Sequence, residues 1–306
     1  MKVSYFIQTH KNPEQIYRLV RTIKKSKPDA QIIIGHDFTS NKLDITPLEK
    51  LSNIHLLPGK KKSIRGDFSL IRPYLNAINW LCDRNDDFDW LIYISGQDYL
   101  TESPANIESF LKKTEYDGFI KYWDISERFP ENNMMRYLHQ YYRLPDSLQW
   151  LFQIIIKYRT LIQKYTPFKF YPAYGSVIGI AAKSTPFNEK FICYRGYQWQ
   201  TLSRKCVLYI KKFVDENPEF VSYLKKTIAP DESFIQTILV NSGLFNLCND
   251  NKRYFKFSGR GGGHPLIITK DEYSQITNGD FHFARKFDPE VDSEILDILD
   301  NSILSS

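Results

Sequence analysis

Cysteine is scarce in this 306-residue chain. The four present, Cys82, Cys193, Cys206 and Cys248, form no Cys-x-x-Cys pair, and no histidine cluster has zinc spacing. They read as free thiols of a reducing compartment. No apolar run reaches the length of a membrane span. No basic segment followed by a long apolar stretch marks a signal peptide. These absences predict a cytoplasmic protein, with peripheral contact at the inner face of a membrane. Charge of one sign is also weak: 41 Lys and Arg against 35 Asp and Glu leave +6. That balance suits an anionic ligand or lipid headgroups and is too small and dispersed for nucleic acid. Walker and Rossmann glycine patterns and internal repeats are missing too.

What is present is apolar and aromatic. Hydrophobic residues make up 42% and aromatic ones 15%, with 20 Tyr and 21 Phe. Most of these rings are expected in a core. Residues 3–7, 31–35, 53–57 and 90–94 read as short apolar strands. Helical spacing of apolar residues marks 15–25, 68–80, 151–162, 204–216 and 231–241. Another strand is expected within 172–182, and 154–156 are expected in the core. Strands alternating with helices imply a mostly parallel, Rossmann-like sheet flanked by helices. Ligands of such sheets sit at the carboxyl ends of the strands. His10, Asp37 and Gln97-Asp98 lie at such ends.

Several stretches carry candidate chemistry. Ala229-Pro230-Asp231-Glu232-Ser233-Phe234 looks like a helix start, with a proline and two acids in the first turn. It can equally place a general base at the mouth of a site. Ser95-Gly96-Gln97-Asp98 has one acid where a metal-holding Asp-x-Asp would need two; Asp98 can instead cap a backbone amide. Gly259-Arg260-Gly261-Gly262-Gly263 reads as a solvent loop able to approach a phosphate. Phe283-Ala284-Arg285-Lys286-Phe287 sets two cations between aromatics, where they can face a diphosphate or snorkel at the surface. Gly196-Tyr197-Gln198-Trp199 offers amide and indole groups for a sugar, or a loop anchored by a buried tryptophan.

The order and spacing of these stretches resemble the core-2/I-branching β-1,6-N-acetylglucosaminyltransferase and peptide-O-xylosyltransferase family, glycosyltransferase family 14. Ile7-Gln8-Thr9-His10 resembles its first strand and His loop, and His36-Asp37 its second strand end. Arg65-Gly66-Asp67-Phe68-Ser69 resembles its Trp-Gly-x-x-Ser stretch, with Arg65 for the tryptophan. Residues 90–99 resemble its strand ending in Ser-Gly-x-Asp-Tyr. Residues 196–204 resemble its Gly-Ser-Gln-Trp-x-x-Leu-Ser-Arg segment, with Tyr197 for the serine. Pro230-Asp231-Glu232 and the closing Phe-Ala-Arg-Lys-Phe follow in order.

The resemblance implies a GT-A fold in a single 1–306 domain, with a nucleotide-binding half at 1–118 and an acceptor-binding and catalytic half at 119–306. It implies an inverting, metal-independent transfer from a UDP-sugar, UDP-GlcNAc first and UDP-xylose, UDP-glucose or UDP-galactose next. No cofactor is expected. Glu232 is implied as general base and Lys286 as the cation on the departing diphosphate, with Arg260 or Arg285 as the second cation. His10, Asp37, Gly66, Ser69, Gly96 and Asp98 are the other expected donor contacts. Arg136, Gly196, Tyr197, Gln198, Trp199 and Asp231 are the expected acceptor contacts. The expected acceptor is a glycan or lipid-linked oligosaccharide of a bacterial surface polysaccharide. A non-catalytic glycan- or nucleotide-binding protein on the same fold is the other reading. The basic Lys60-Lys61-Lys62 and the stretch 151–170 are candidates for touching anionic lipid.

Overall fold

Four apolar segments become the strands β1 (Val3–Thr9), β2 (Gln31–His36), β3 (Ile54–Pro58) and β4 (Trp90–Ser95) of the computed structural model, which describes residues 1–59, 61–84, 87–257 and 265–305. They pair in parallel in the spatial order β3-β2-β1-β4, with Phe6 opposite Ile33 and Tyr93. Beyond β4 the strand Thr201–Ser203 runs antiparallel, Leu202 facing Leu91. Gly118–Phe119 and Leu247–Cys248 complete the sheet. The expected divide between residues 118 and 119 falls inside one strand, and both halves build the same sheet.

The two-residue period of a strand explains the two main cores. Tyr5 and Ile7 face one layer, where the helices Pro13–Ser26 and Glu294–Leu304 bury Ile16, Leu19, Ile295 and Leu299. Phe6 faces the other, where the helices Arg72–Asp83 and Arg204–Glu216 bury Tyr74, Ile78, Val207 and Ile210. Each such aliphatic side chain contributes about 1.5–3 kcal/mol. Arg253 crosses this core and donates to the carbonyls of Tyr93 (3.1 Å) and Gln200 (3.0 Å), tying β4 to the segment entering the reversed strand.

Smaller sheets frame the strand ends. Phe283–Arg285 lies between Arg253–Phe255 and Asp98–Leu100, with Arg285 opposite Asp98. Tyr122–Asp124 pairs with Tyr194–Gly196. His139–Arg143, Val177–Ala181 and Phe168–Phe170 form an antiparallel sheet. Three expectations change. Pro230–Glu232 is a separate 3₁₀ turn, and the α-helix begins after it, at Phe234. Residues 151–162 fall in two helices, Gln149–Lys157 and Arg159–Tyr165, broken at Tyr158. Residues 154–156 are not core: Ile154 is exposed and Phe152 alone of the two helices is buried.

Candidate active site

The polar end of β4 meets the strand Phe283–Arg285. Asp98 accepts from the backbone amide of Ser95 and from its hydroxyl, both at 2.8 Å, and from the Arg285 guanidinium at 2.7 Å. The amide-capping reading of Asp98 is therefore the one realised, and its charge is matched by Arg285. Arg285 in turn lies over the Trp199 indole, its guanidinium carbon 4.7 Å from the ring centre. Asp37 is similarly occupied. Burial alone would raise its carboxyl, but hydrogen bonds from Thr39 and the Ser63 amide hold it below the usual carboxylate range. Ser69 accepts from the Ile64 amide, and Gly96 packs on Thr9.

Three cations, Lys11, Arg285 and Lys286, share this edge with the acids Asp37, Asp98 and Asp288. Burial first, then the cations Lys11 and Arg285, push the Lys286 ammonium below its ordinary value. Burial and Lys11 do the same to the His10 imidazole. Among the described residues no carboxylate lies within 4.0 Å of the Lys286 ammonium. The buried Gln97 amide nitrogen has no partner, which leaves a spare donor beside it. Arg260 and the glycine run 259–263 lie outside the described residues.

The second half of the site is built on the turn Pro230–Glu232. Ala229 enters it with φ +53°, a left-handed conformation that costs a non-glycine residue about 1 kcal/mol. Its amide donates to the Gly66 carbonyl (2.9 Å), and its carbonyl accepts from the Tyr137 hydroxyl (3.0 Å). Gly66 itself has φ +75°, and a Cβ there would lie 2.1 Å from the Tyr174 ring. Glu232 thus stands on a turn fixed from two sides. Its Oε2 accepts from Arg136 Nη1 (3.1 Å), Arg195 Nε (2.8 Å) and Arg195 Nη2 (2.5 Å).

Both guanidiniums are braced. Arg136 donates to the Tyr171 hydroxyl (3.0 Å) and packs 5.4 Å from the Tyr171 and Tyr174 rings. Arg195 donates to Asn133 (2.7 Å) and lies 5.7 Å from the Trp123 ring. Asp231 is buried, its Oδ1 has no partner, and its carboxyl is pushed up to about 7 by burial and the adjacent Glu232 charge. The buried Trp123 indole nitrogen is also unpartnered.

One layer of side chains joins the halves. Gln198 donates to the Tyr93 hydroxyl (2.5 Å), and Tyr93 donates to Gln8. Trp199 meets the Tyr93 ring edge-on at 4.8 Å. The charges of Asp231 and Arg285 both act on Tyr93. Tyr197 packs with Phe255 and Trp123. Gly196 is required by close approach: a Cβ there would lie 1.7 Å from the Lys121 carbonyl oxygen. Arg195, one residue before this glycine, was not among the residues singled out from sequence. Its signal is a cation beside a motif, and only the pairing of Tyr194–Gly196 with Tyr122–Asp124 turns it toward Glu232.

An α/β protein with its polar residues gathered at the carboxyl ends of parallel strands is the class that this geometry defines. The family model of the core-2/I-branching enzyme matches residues 3–283, and the chain belongs to that family. Its helix-flanked, parallel-rich sheet is then of the GT-A type that the resemblance implies. Xylosyltransferase 2 of Canis lupus familiaris is 25% identical over 334 residues, covering 100% of this chain and 34% of that protein. Beta-glucuronosyltransferase GlcAT14B of Arabidopsis thaliana is 26% identical over 117 residues, 37% of this chain and 26% of that protein. The chain thus spans about a third of the length of the xylosyltransferase it matches. A structure of galactosyltransferase LgtC with donor and acceptor sugar analogs aligns over 99% of this chain and 96% of that one, at TM-score 0.37 and 11% identity.

Proposed function

We propose that the protein is an inverting glycosyltransferase that moves a sugar from a UDP-sugar to a hydroxyl of a glycan acceptor. The observation that carries this reading is the arrangement around Tyr93 and Trp199. Asp231, next to Glu232 on the braced turn, and Arg285, next to Lys286, both act on Tyr93, and Arg285 lies over Trp199. Glu232 takes the proton of the acceptor hydroxyl as its oxygen attacks the anomeric carbon. The bond from that carbon to the β-phosphate oxygen breaks, and the electron pair leaves on UDP. The anomeric centre inverts, and an α-linked donor yields a β-linkage. Lys286 and Arg285 stabilise the charge gathering on the diphosphate. Arg136 and Arg195 hold Glu232 until an acceptor competes for its oxygens.

The reading is metal-independent. Asp98, the strand-end acid, is already held by Ser95 and Arg285. UDP-GlcNAc heads the donors by family resemblance, with UDP-glucose and UDP-galactose behind it. The names of the relatives put UDP-xylose and UDP-glucuronate in the same panel. The acceptor is a glycan, free or lipid-linked, in bacterial surface polysaccharide synthesis.

UDP release from the donor panel, with EDTA and without added metal, tests the reading. Release from one donor, unaffected by EDTA and lost in Glu232→Gln, supports it. Release that collapses with EDTA overturns the metal-free assignment. Donor binding with no turnover on any acceptor supports a non-catalytic binding protein instead.

A further inference from the structure

Between Ser147 and Asn188 the chain contains no aspartate or glutamate and five cations: Lys157, Arg159, Lys164, Lys169 and Lys183. That +5 compares with +6 for the whole chain. The same segment exposes large apolar side chains. On the helices Gln149–Lys157 and Arg159–Tyr165 and at Tyr158 between them, Trp150 is 63%, Tyr158 60%, Leu161 59% and Tyr165 71% exposed, with Leu151 and Ile154 beside them. An apolar surface of this kind marks an interaction site.

We propose that this helical pair seats on an anionic lipid bilayer, lying in the plane of the headgroups. The composition selects that occupant. Leucine and isoleucine have no polar end and are served by acyl chains, while tryptophan and tyrosine place one polar end at the headgroup level. The lysines extend their stems past the apolar side chains to reach phosphates. A second copy of the chain would bring +5 against +5, which opposes self-association. The helices have nine and seven residues, far short of the roughly 20 that span a membrane. Among the described residues no helix is long and apolar enough to cross one.

The seat adjoins the site. The strand Phe168–Phe170 leads directly to Tyr171 and Tyr174, the rings on which Arg136 packs while it holds Glu232. A bilayer on the helices brings the acceptor side of the site to the membrane, where a lipid-linked glycan is presented. This last consequence rests on the transferase reading; the lipid seat does not.

Co-sedimentation of the full chain with phosphatidylglycerol–phosphatidylcholine vesicles, and with phosphatidylcholine alone, tests the proposal without donor or acceptor. Binding to the anionic vesicles that falls with added salt is expected. Lys157→Gln with Arg159→Gln should weaken it roughly 20-fold, since each cation near the surface is worth about a fivefold factor. Trp150→Ser with Leu161→Ser should weaken it about tenfold or more. Both pairs are solvent-exposed, and an unchanged circular dichroism melt confirms that the fold is intact. Equal binding to neutral vesicles, no binding, or binding insensitive to both pairs overturns the proposal. A wild-type dimer in sedimentation velocity that Trp150→Ser dissociates overturns it in favour of a second copy.

Discussion

The two sides of the site are built in opposite ways. On the donor side nearly every charge is answered: Asp98 by Ser95 and Arg285, Asp37 by Thr39 and Ser63. Asp98 holds the cation Arg285, and among the described residues no carboxylate lies within 4.0 Å of the Lys286 ammonium. On the acceptor side two guanidiniums converge on one oxygen of Glu232, Asp231 keeps an unpartnered buried oxygen, and the Trp123 indole nitrogen has no acceptor. A buried group without a partner costs about 1–3 kcal/mol. The side of Glu232 therefore holds two unpartnered buried groups, Asp231 and Trp123, while on the side of Lys286 Asp37 and Asp98 are both hydrogen-bonded and the Gln97 amide nitrogen is the spare one. A constant diphosphate suits carboxylates already held, and a proton-accepting residue suits a side that rearranges.

The comparison breaks first at Glu232. Glu232→Gln keeps the size and much of the hydrogen bonding and removes the carboxylate proposed as base; turnover is expected to fall about 10²–10⁴-fold with donor binding retained. Full activity in this variant would move the base elsewhere, and Asp231 is then the adjacent carboxyl to examine. Lys286→Ala strikes the other side. A loss of about 10²–10³ in kcat is expected, with weaker UDP binding by calorimetry; wild-type kcat would remove the cation from the reaction.

Two isosteric changes sharpen the contrast through stability. Asp98→Asn leaves Arg285 without its charge partner, and urea denaturation should show a loss of about 3 kcal/mol. Asp231→Asn should do the reverse at alkaline pH. The folded Asp231 carboxyl sits near 7, above its value of about 3.8 in the unfolded chain. Its contribution to stability is complete below pH 3.8 and is lost as pH rises to about 7. Relative to wild type, the variant should gain about 2–3 kcal/mol between pH 5 and pH 8. A pH-independent difference would mean that Asp231 is ionised in the fold.

The strand ends that gather these polar residues were readable before folding. Apolar strands end in polar residues, and parallel sheets collect ligands at such ends; His10, Asp37, Asp98 and Lys286 were all named on that ground or by family resemblance. Glu232 and Arg136 were also named, and the fold sets them 3.1 Å apart. What stayed hidden depends on long-range pairing. Arg195 reaches Glu232 because residues 194–196 pair with 122–124, and nothing local signals that register. Residues 154–156 looked like core because apolar spacing shows that a face wants a partner and cannot show that the chain supplies one. Asp98 stayed undecided between ligand and cap until Arg285 was placed opposite it.

The reversed strand Thr201–Ser203 sits between β4 and Gly118–Phe119. In chain order β1 to β4 are complete by residue 95, but the neighbour that covers β4 follows more than a hundred residues later. Until then β4 presents a long, wholly buried-type apolar edge to other chains. Non-local closure of this kind slows folding. The nascent protein thus passes through a period when its own sheet invites aggregation, and expression at low temperature or with holding chaperones should raise its soluble yield.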